Sequence, residues 1–204
     1  MTRTAEILEA TLDPSKQDVV RVWLPDATLT GSYRLVDTDN EVGIEGVLAR
    51  DADDRIVQIP VTYRASSTGA EFATLEHSVL GTRYVSKALE DPVAIAEYVR
   101  LILAGDTDAE RSDGKPTGLH LQGSGHNDSV EVTDIEIEST TDERVQANGK
   151  INGVTRSFEL RLPRLLRPVK GLVASRVPSA RRIEGVLPDS EEKLLVAELI
   201  WRDL

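Results

Sequence analysis

A histidine flanked by a carboxylate and a hydroxyl is the first residue set that could do chemistry. His77 stands between Glu76 and Ser78, and these side-chain types can form a catalytic triad. Adjacent residues on a β-strand point to opposite faces, however, so Glu76 and His77 cannot easily engage each other. We therefore favour a structural, hydrogen-bonded histidine at this position over a catalytic one.

Two other histidines could contribute to a metal site. His120 and His126 lie six residues apart around LQGSG, and Asp128 follows them. Imidazole and carboxylate groups bind Zn²⁺, but this spacing provides no firm third ligand. A solvated β-turn explains the same residues, and no metal or other cofactor is predicted.

Two short motifs could bind ions by other means. Asp51, Asp53 and Asp54 could approach Ca²⁺, but they lack the twelve-residue loop with a terminal Glu. The GSG at residues 123–125 could cradle a phosphate if a helix followed it. The residues after GSG have the pattern of a strand and not of a helix, so we favour no phosphate site there. For the three aspartates we favour a role in a turn.

The most unusual segment is rich in basic residues and contains three prolines. Between Glu159 and Glu184 it has no acidic residue. It could bind an anion or a protein partner, or its arginines could pair with the chain's own surplus acids, which we favour. The candidate ligand or partner surface consists of Arg161, Arg164, Arg167, Lys170, Arg176, Arg181 and Arg182.

Trp23 and Trp201 are the only tryptophans in the chain. In an exposed groove they could stack on sugar rings. Trp23 ends an amphipathic stretch and Trp201 follows the apolar run LLVAELI. Both settings favour packing in a core, where large aromatic side chains bury much apolar surface.

Composition narrows the function classes. The chain has 204 residues, a net charge of −11 and no cysteine. Disulfides and thiolate metal sites are thereby excluded, and the acidic balance disfavours nucleic acid as a partner. The N-terminus shows no signal-peptide pattern, and no run resembles a membrane span. We expect a cytoplasmic protein that binds neither membranes nor nucleic acid, while its uneven charge raises the prospect of homo-oligomers.

The first half reads as a small sheet with two helices. Asp13-Pro14 predicts a helix over 14–24 that ends before Pro25. Asp91-Pro92 predicts a second helix that ends at Gly105. Alternating apolar residues and turn formers predict the strands between these helices at 32–38, 41–50, 55–64, 72–80 and 82–89.

The second half reads as almost purely β. Strands are predicted at 118–122, 129–139, 144–151, 155–163 and 194–202, with a hairpin turn in NGKINGV. The fold class is therefore α+β, with a curved antiparallel sheet and two flanking helices followed by a β-rich half. We place domain boundaries at 1–105, a polar linker at 106–116 and a β-rich region at 117–204, which packs on or extends the first sheet.

Seven motifs follow one another in the first 105 residues. They are TL-x-PSK at Thr11 to Lys16, WLP at Trp23 to Pro25, YRLVD at Tyr33 to Asp37, VGIEGVL at Val42 to Leu48, P-x-TYR at Pro60 to Arg64, EHSVLGTRYV at Glu76 to Val85 and DPV at Asp91 to Val93. As a set, this stretch resembles the N-terminal cap domain of actinobacterial maltokinases. The resemblance implies a cystatin-like curved sheet and an association with maltose, trehalose and α-glucan metabolism.

The resemblance does not extend to a kinase body. Phosphoryl transfer needs a phosphate cradle, a cation-holding carboxylate and a base, and the residues after the cap-like half carry no such set of motifs. The sequence therefore favours a non-catalytic interaction or regulatory module with a protein partner in α-glucan metabolism. The alternative is a binding protein or an unrecognised enzyme that holds a small molecule or carbohydrate in a cavity of the curved sheet.

Overall fold

Two antiparallel sheets and two α-helices dominate the described part of the chain, residues 3–127, 129–169 and 181–203 of a computed structural model. The first sheet curls into a half-barrel with strand order β2-β6-β7-β5-β4-β3. A two-stranded parallel pair, β1 with β8, joins Thr4–Ala5 to Glu110–Arg111. The strands of the first sheet are β2 Leu12–Asp13, β3 Thr28–Val36, β4 Gly43–Arg50, β5 Ile56–Arg64, β6 Glu71–His77 and β7 Gly81–Lys87.

The predicted meander in the first half is confirmed, and its turns explain why the strands end where they do. Asn40 and Asp54 adopt positive φ angles of 58° and 61° in the β3–β4 and β4–β5 turns. Short polar side chains tolerate this left-handed region better than other non-glycine residues. The side chain of Asp51 accepts hydrogen bonds from the amides of Asp53 and Arg55, so the three aspartates form a turn, as favoured above.

Both predicted helices are present, but the first begins differently from the prediction. Helix α1 spans Lys16–Trp23, and the side chain of Ser15, not Asp13, accepts from the Asp18 amide. Helix α2 spans Pro92–Ala104, as predicted. The Asp91 side chain caps its start, and Gly105 ends it with a φ of 69°, a conformation that glycine adopts at little cost. A 3₁₀ turn at Ala88–Glu90 precedes α2.

The second sheet has the strand order β10-β11-β12-β15-β14-β9, with β13 also paired to β15. Asn152 and Gly153, both with positive φ, form the predicted hairpin turn between β11 and β12. Strand β14 lies at the end of the basic segment and was not predicted, and neither were the two-residue strands β2, β8 and β13. The strands are β9 His120–Gly123, β10 Val132–Thr140, β11 Arg144–Ile151, β12 Val154–Arg161, β13 Arg167–Pro168, β14 Arg181–Val186 and β15 Lys193–Trp201.

Helix α2 lies between the two sheets, and one core runs through all three layers. Side chains from α2, from the first sheet and from the second sheet share this inter-sheet core. Tyr33 on β3 donates to Gln58 Oε1 at 2.7 Å, and its hydroxyl lies 3.0 Å from that of Tyr98 on α2. The amide of Gln58 in turn donates to the carbonyls of Pro163 and Val196. The predicted α+β fold is confirmed, with the second half packing on the first, whereas the exact domain boundaries stay a prediction.

A separate core lies on the opposite face of the first sheet, under α1. It contains Val19 and Val20 of the helix and alternating residues of the strands, such as Val47, Ile59 and Val85. The period-two alternation of a strand explains this arrangement, because each strand of the sheet sends every second side chain to this α1 face. Beyond the edge of this apolar cluster, the same face becomes polar.

Candidate functional site

A cavity of about 810 Å³ lies between the N-terminal segment, residues 5–12, and the first sheet. Its size falls within the range of small-molecule sites. The N-terminal segment is held at both ends. Near one end the Ile7 amide donates to Ser112 Oγ, and at the other Thr11 and Ser78 exchange hydrogen bonds. We call this space the N-terminal cavity.

A row of polar side chains crosses the α1 face of the sheet, and its members other than the buried Glu45 line this cavity. Arg34 on β3 is directly opposite Glu45 on β4, and Tyr63 on β5 lies diagonally beyond Glu45. Arg83 on β7 and His77 on β6 continue the row, because Arg83 pairs with Leu75, two residues before His77 on the same face. Residues opposite or diagonal on one face of antiparallel strands lie within side-chain reach. The fold therefore brings together residues that are up to 49 positions apart.

Glu45 is the centre of this row and has no exposed side-chain surface. Its carboxylate accepts from Lys16 Nζ at 2.8 Å and from the Tyr63 hydroxyl at 2.9 Å, and Arg34 lies at 3.4 Å. Burial alone would raise the pKa of Glu45, but the charges of Arg34 and Lys16 outweigh it and lower the pKa to about 2. The carboxylate is thus held ionised between two cations.

His77 has a local structural role. Its Nδ1 accepts hydrogen bonds from the amides of Val79 and Leu80 at 3.2 and 3.1 Å and so closes the β6–β7 turn. Glu76 on the other face accepts from Thr82 instead, so the two side chains do not engage each other. Burial, followed by the charges of Arg83, Lys16 and Arg34, lowers the pKa of His77, which favours the neutral form that can accept at Nδ1.

Acidic residues of the sequence motifs also hold backbone in place. The Asp37 carboxylate accepts from the amides of Asp39 and Glu41 in the β3–β4 turn. Asp91 caps helix α2 and forms a two-bond ion pair with Arg64, with both distances 2.7 Å. The ionisable residues of the motifs are thus used to close turns, to start a helix and to build the wall of the N-terminal cavity.

The other histidines show no convergence on a metal. His120 lies exposed on β9 and His126 is exposed in the loop after it, while Asp128 lies outside the described residues. Within the ranges that the structure describes, no group of three or more His, Cys, Asp or Glu side chains could hold a metal ion. The same part of the chain contains no helix of the length and hydrophobicity needed to cross a bilayer.

The GSG motif is a packing element. The Gly125 amide donates to Ile102 O at the end of helix α2. An added Cβ would lie 2.0 Å from Leu103 O at Gly125 and 2.1 Å from Leu101 O at Gly123, so only glycine permits this close approach. The negative end of a helix dipole repels anions, which argues against a phosphate here.

Three described arginines of the basic segment pair with acidic residues of the chain. Arg161 contacts Glu159, Arg164 lies 3.2 Å from Asp142, and Arg182 lies 2.7 Å from Glu184. This favours the interpretation that the segment neutralises surplus acids.

The remaining residues of the segment are Arg167 and Arg181, which are exposed at the starts of β13 and β14. Lys170 and Arg176 lie outside the described residues. A ligand or partner surface on this segment stays a prediction.

Both tryptophans are half-buried and pack on a phenylalanine. The ring centroids of Trp23 and Phe72 are 5.7 Å apart, and those of Trp201 and Phe158 are 6.4 Å apart at right angles. The Arg156 guanidinium lies 4.2 Å from the Trp201 ring centroid, a cation–π distance. These contacts agree with the core packing favoured from the sequence.

The buried ion cluster was missed in the sequence, although one signal pointed to it. Glu45 is a lone charged residue among glycine and apolar residues in VGIEGVL. A charge in such a strand is either exposed or paired in the interior. Its partners Lys16, Arg34 and Tyr63 stand in three other motifs, and only the sheet register and the packing of α1 bring them together.

The first half is therefore an α+β domain. It consists of a curled antiparallel sheet, a helix on one face and a cavity lined by charged residues, and the motifs implied such a curved sheet. The family model for the maltokinase N-terminal cap domain matches residues 16–91. The matched stretch runs from Lys16 to the cap of α2 and contains Arg34, Glu45 and His77. The chain thus carries a maltokinase N-terminal cap domain, which suggests an association with maltose and trehalose metabolism. The search of curated proteins gave no match.

Proposed function

We propose that this protein is a non-catalytic interaction or regulatory module that acts on a partner enzyme of maltose, trehalose and α-glucan metabolism. One observation carries the proposal: the ionisable residues of the cap motifs build the domain itself. His77 closes a turn, Asp91 starts a helix, and Glu45 neutralises two cations. Such a domain supplies a stable shape to a partner, and the cap-domain match supplies the metabolic setting.

The described part of the cap domain offers apolar side chains to a partner. Val22 on α1 is 64 % exposed, and Val79 on the β6–β7 turn is 58 % exposed. Apolar side chains that become buried at the centre of an interface provide much of its binding energy. The opposite side of the cap domain packs, through α2, on the second sheet of the same chain, which leaves the α1 side and the turn for docking.

Replacing Val79 with Arg is expected to weaken binding to the partner enzyme at least about tenfold, because a charge would become buried without a partner. The probes are purified maltose- and trehalose-converting enzymes of the same cell, with affinity measured by biolayer interferometry on the full chain. Val154→Arg is the matched control, since Val154 is equally exposed, at 60 %, and also adjoins a hairpin turn. Equal binding of both variants and wild type, or no binding of any enzyme, would contradict the proposal.

A second candidate function is small-molecule binding, and the N-terminal cavity favours it. The cavity combines about 810 Å³ of space with both converging polar groups and apolar residues in its wall. This mixture is typical of ligand sites, where apolar walls give affinity and a few polar groups give orientation. Occupation of the cavity could also regulate docking, because Leu80 of the β6–β7 turn lines it.

Self-association is a separate proposal that rests on the charge pattern. A basic segment in a chain of net charge −11 can bind the acidic surface of a second copy. We expect sedimentation velocity to show dimers or larger species at low salt that dissociate as salt rises, because exposed charges are then screened. A strict monomer at both low and moderate salt would refute this. A cytoplasmic location stays a prediction.

A further inference from the structure

We propose that the N-terminal cavity binds a small organic oxyanion, with its phosphate or carboxylate group held between Arg34, Arg83 and Lys16. The inference rests on the second candidate function and specifies its ligand class. The body of the ligand would lie against the apolar part of the wall, which includes Ile7, Leu12 and Leu75. An anionic group attached to an uncharged body fits both parts of the cavity.

The arrangement of charge favours an anion at this end of the cavity. Glu45 is the acidic member of the polar row, and it faces two cations, Lys16 and Arg34. Arg83 adds a third positive charge, and its guanidinium donates to the carbonyl of its own neighbour, Thr82. The row therefore carries a positive excess. The acidic residues Glu6, Asp37 and Glu41 also line the cavity.

Those acidic residues keep their charge but are not part of the row. Asp37 is occupied by the amides of the β3–β4 turn, and Glu41 belongs to the same turn. Glu6 lies on the N-terminal segment, on the opposite wall from the sheet. A ligand avoids repulsion if its anionic group faces the row. Its body, which faces the acidic residues, must then be neutral, with hydrogen-bonding or apolar groups.

Two donors of the row have hydrogen-bonding capacity left for a ligand. Among the described residues, Arg34 Nε makes no hydrogen bond but has almost no accessible surface, so a ligand would bond to the outer guanidinium nitrogens of Arg34, whose side chain is partly exposed. His77 uses Nδ1 as an acceptor for the β6–β7 turn. Its neutral ring must therefore carry the proton on Nε2, which can donate to an oxyanion. Together with Arg83, these groups provide directed donors in addition to positive charge.

The same cations that would bind the ligand already act on His77, whose lowered pKa reflects burial first and then the charges of Arg83, Lys16 and Arg34. A bound anion would offset those charges and favour the imidazolium. We therefore expect the pKa of His77 to rise when an oxyanion binds. A neutral ligand in the same cavity would lower it further or leave it unchanged.

The test titrates His77 by NMR in the full chain, free and with millimolar inorganic phosphate, glucose 6-phosphate, gluconate, maltose or trehalose. We expect a higher His77 pKa with at least one oxyanion, and the phosphate and carboxylate arms identify the preferred group. Arg83→Gln should weaken that binding at least tenfold and leave the unfolding temperature of the free protein unchanged. Arg144→Gln, an exposed arginine of β11, is the control and should bind like wild type.

Three other outcomes would refute oxyanion binding in this cavity. Binding of maltose or trehalose without binding of any oxyanion refutes the inference and leaves the second candidate function standing. Absence of binding by every probe removes both. Equal loss of affinity in Arg83→Gln and Arg144→Gln would mean that the anion responds to overall charge and not to the cavity, and it refutes the inference as well.

Discussion

Glu45→Gln is expected to destabilise the protein by about 3–5 kcal/mol at neutral pH, the usual cost of removing one partner from a buried ion pair. Glutamine keeps the shape of the side chain and can still accept from Tyr63. It cannot neutralise Lys16 and Arg34, which remain partly buried at 32 % and 19 % side-chain exposure. Urea unfolding followed by circular dichroism measures the loss. Glu76→Gln, an exposed carboxylate on β6, should change stability by less than about 0.5 kcal/mol.

The stabilisation from Glu45 should also depend on pH. Its pKa falls from the usual 4.5 to about 2 in the folded protein. A lowered carboxyl pKa contributes stability that is fully present above the unfolded value of 4.5 and is lost as pH falls toward 2. That contribution is on the order of 3 kcal/mol. The difference in unfolding free energy between wild type and Glu45→Gln should therefore shrink from pH 5 to pH 2, and a constant difference would contradict the assignment.

The second large effect is expected at a glycine of the same strand. An added Cβ at Gly46 would lie 1.9 Å from Cζ of Tyr33. The Tyr33 ring is buried and its hydroxyl bonds Gln58, so it cannot move without breaking the network between the sheets. We expect Gly46→Ala to destabilise the protein by about 2–4 kcal/mol, the combined cost of overpacking and a lost buried hydrogen bond.

Gly43 offers a matched control on β4. An added Cβ there would meet Tyr63 at 3.5 Å, an ordinary contact distance. Gly43→Ala should stay within about 0.5 kcal/mol of wild type or be slightly more stable, because alanine loses less backbone entropy on folding. The double variant Gly46→Ala with Tyr33→Leu should be less destabilised than the sum of its parts. Similar stability of the two alanine variants would show that the Tyr33 contact is not limiting.

Features that depend on a few adjacent residues, such as helix ends and tight turns, were predicted well. Helix α2 begins at Asp91-Pro92 and ends at Gly105 as predicted, and Asn152-Gly153 forms the β11–β12 turn. Cap and turn geometry depends on a few neighbouring residues, so the sequence contains the needed information. The first helix shows the limit, because Asp13-Pro14 and Ser15 offered competing starts and Ser15 makes the capping hydrogen bond.

Strand β10 shows how a local pattern can hide an irregularity. Val130, Val132, Ile135 and Ile137 suggested alternation with period two, yet Val132 and Ile135 are three residues apart. Asp134 adopts a positive φ of 52°, and the register shifts between Thr133 and Glu136. The bulge resets the alternation, so all four apolar side chains pack on the inter-sheet core.

The sequence by itself determined the α+β class, the cap domain and the positions of the two helices and most of the longer strands, since periodicity, caps and turn residues are local properties. Only the tertiary structure decided which ionisable residues of the motifs lie next to one another. The register of four sheet neighbours brings Arg34, Glu45, Tyr63 and Arg83 into one row, and helix α1 adds Lys16 to it. Such contacts depend on which strands pair and in what register, and no single motif encodes that pairing. The cavity and its charge therefore arise from packing between distant segments.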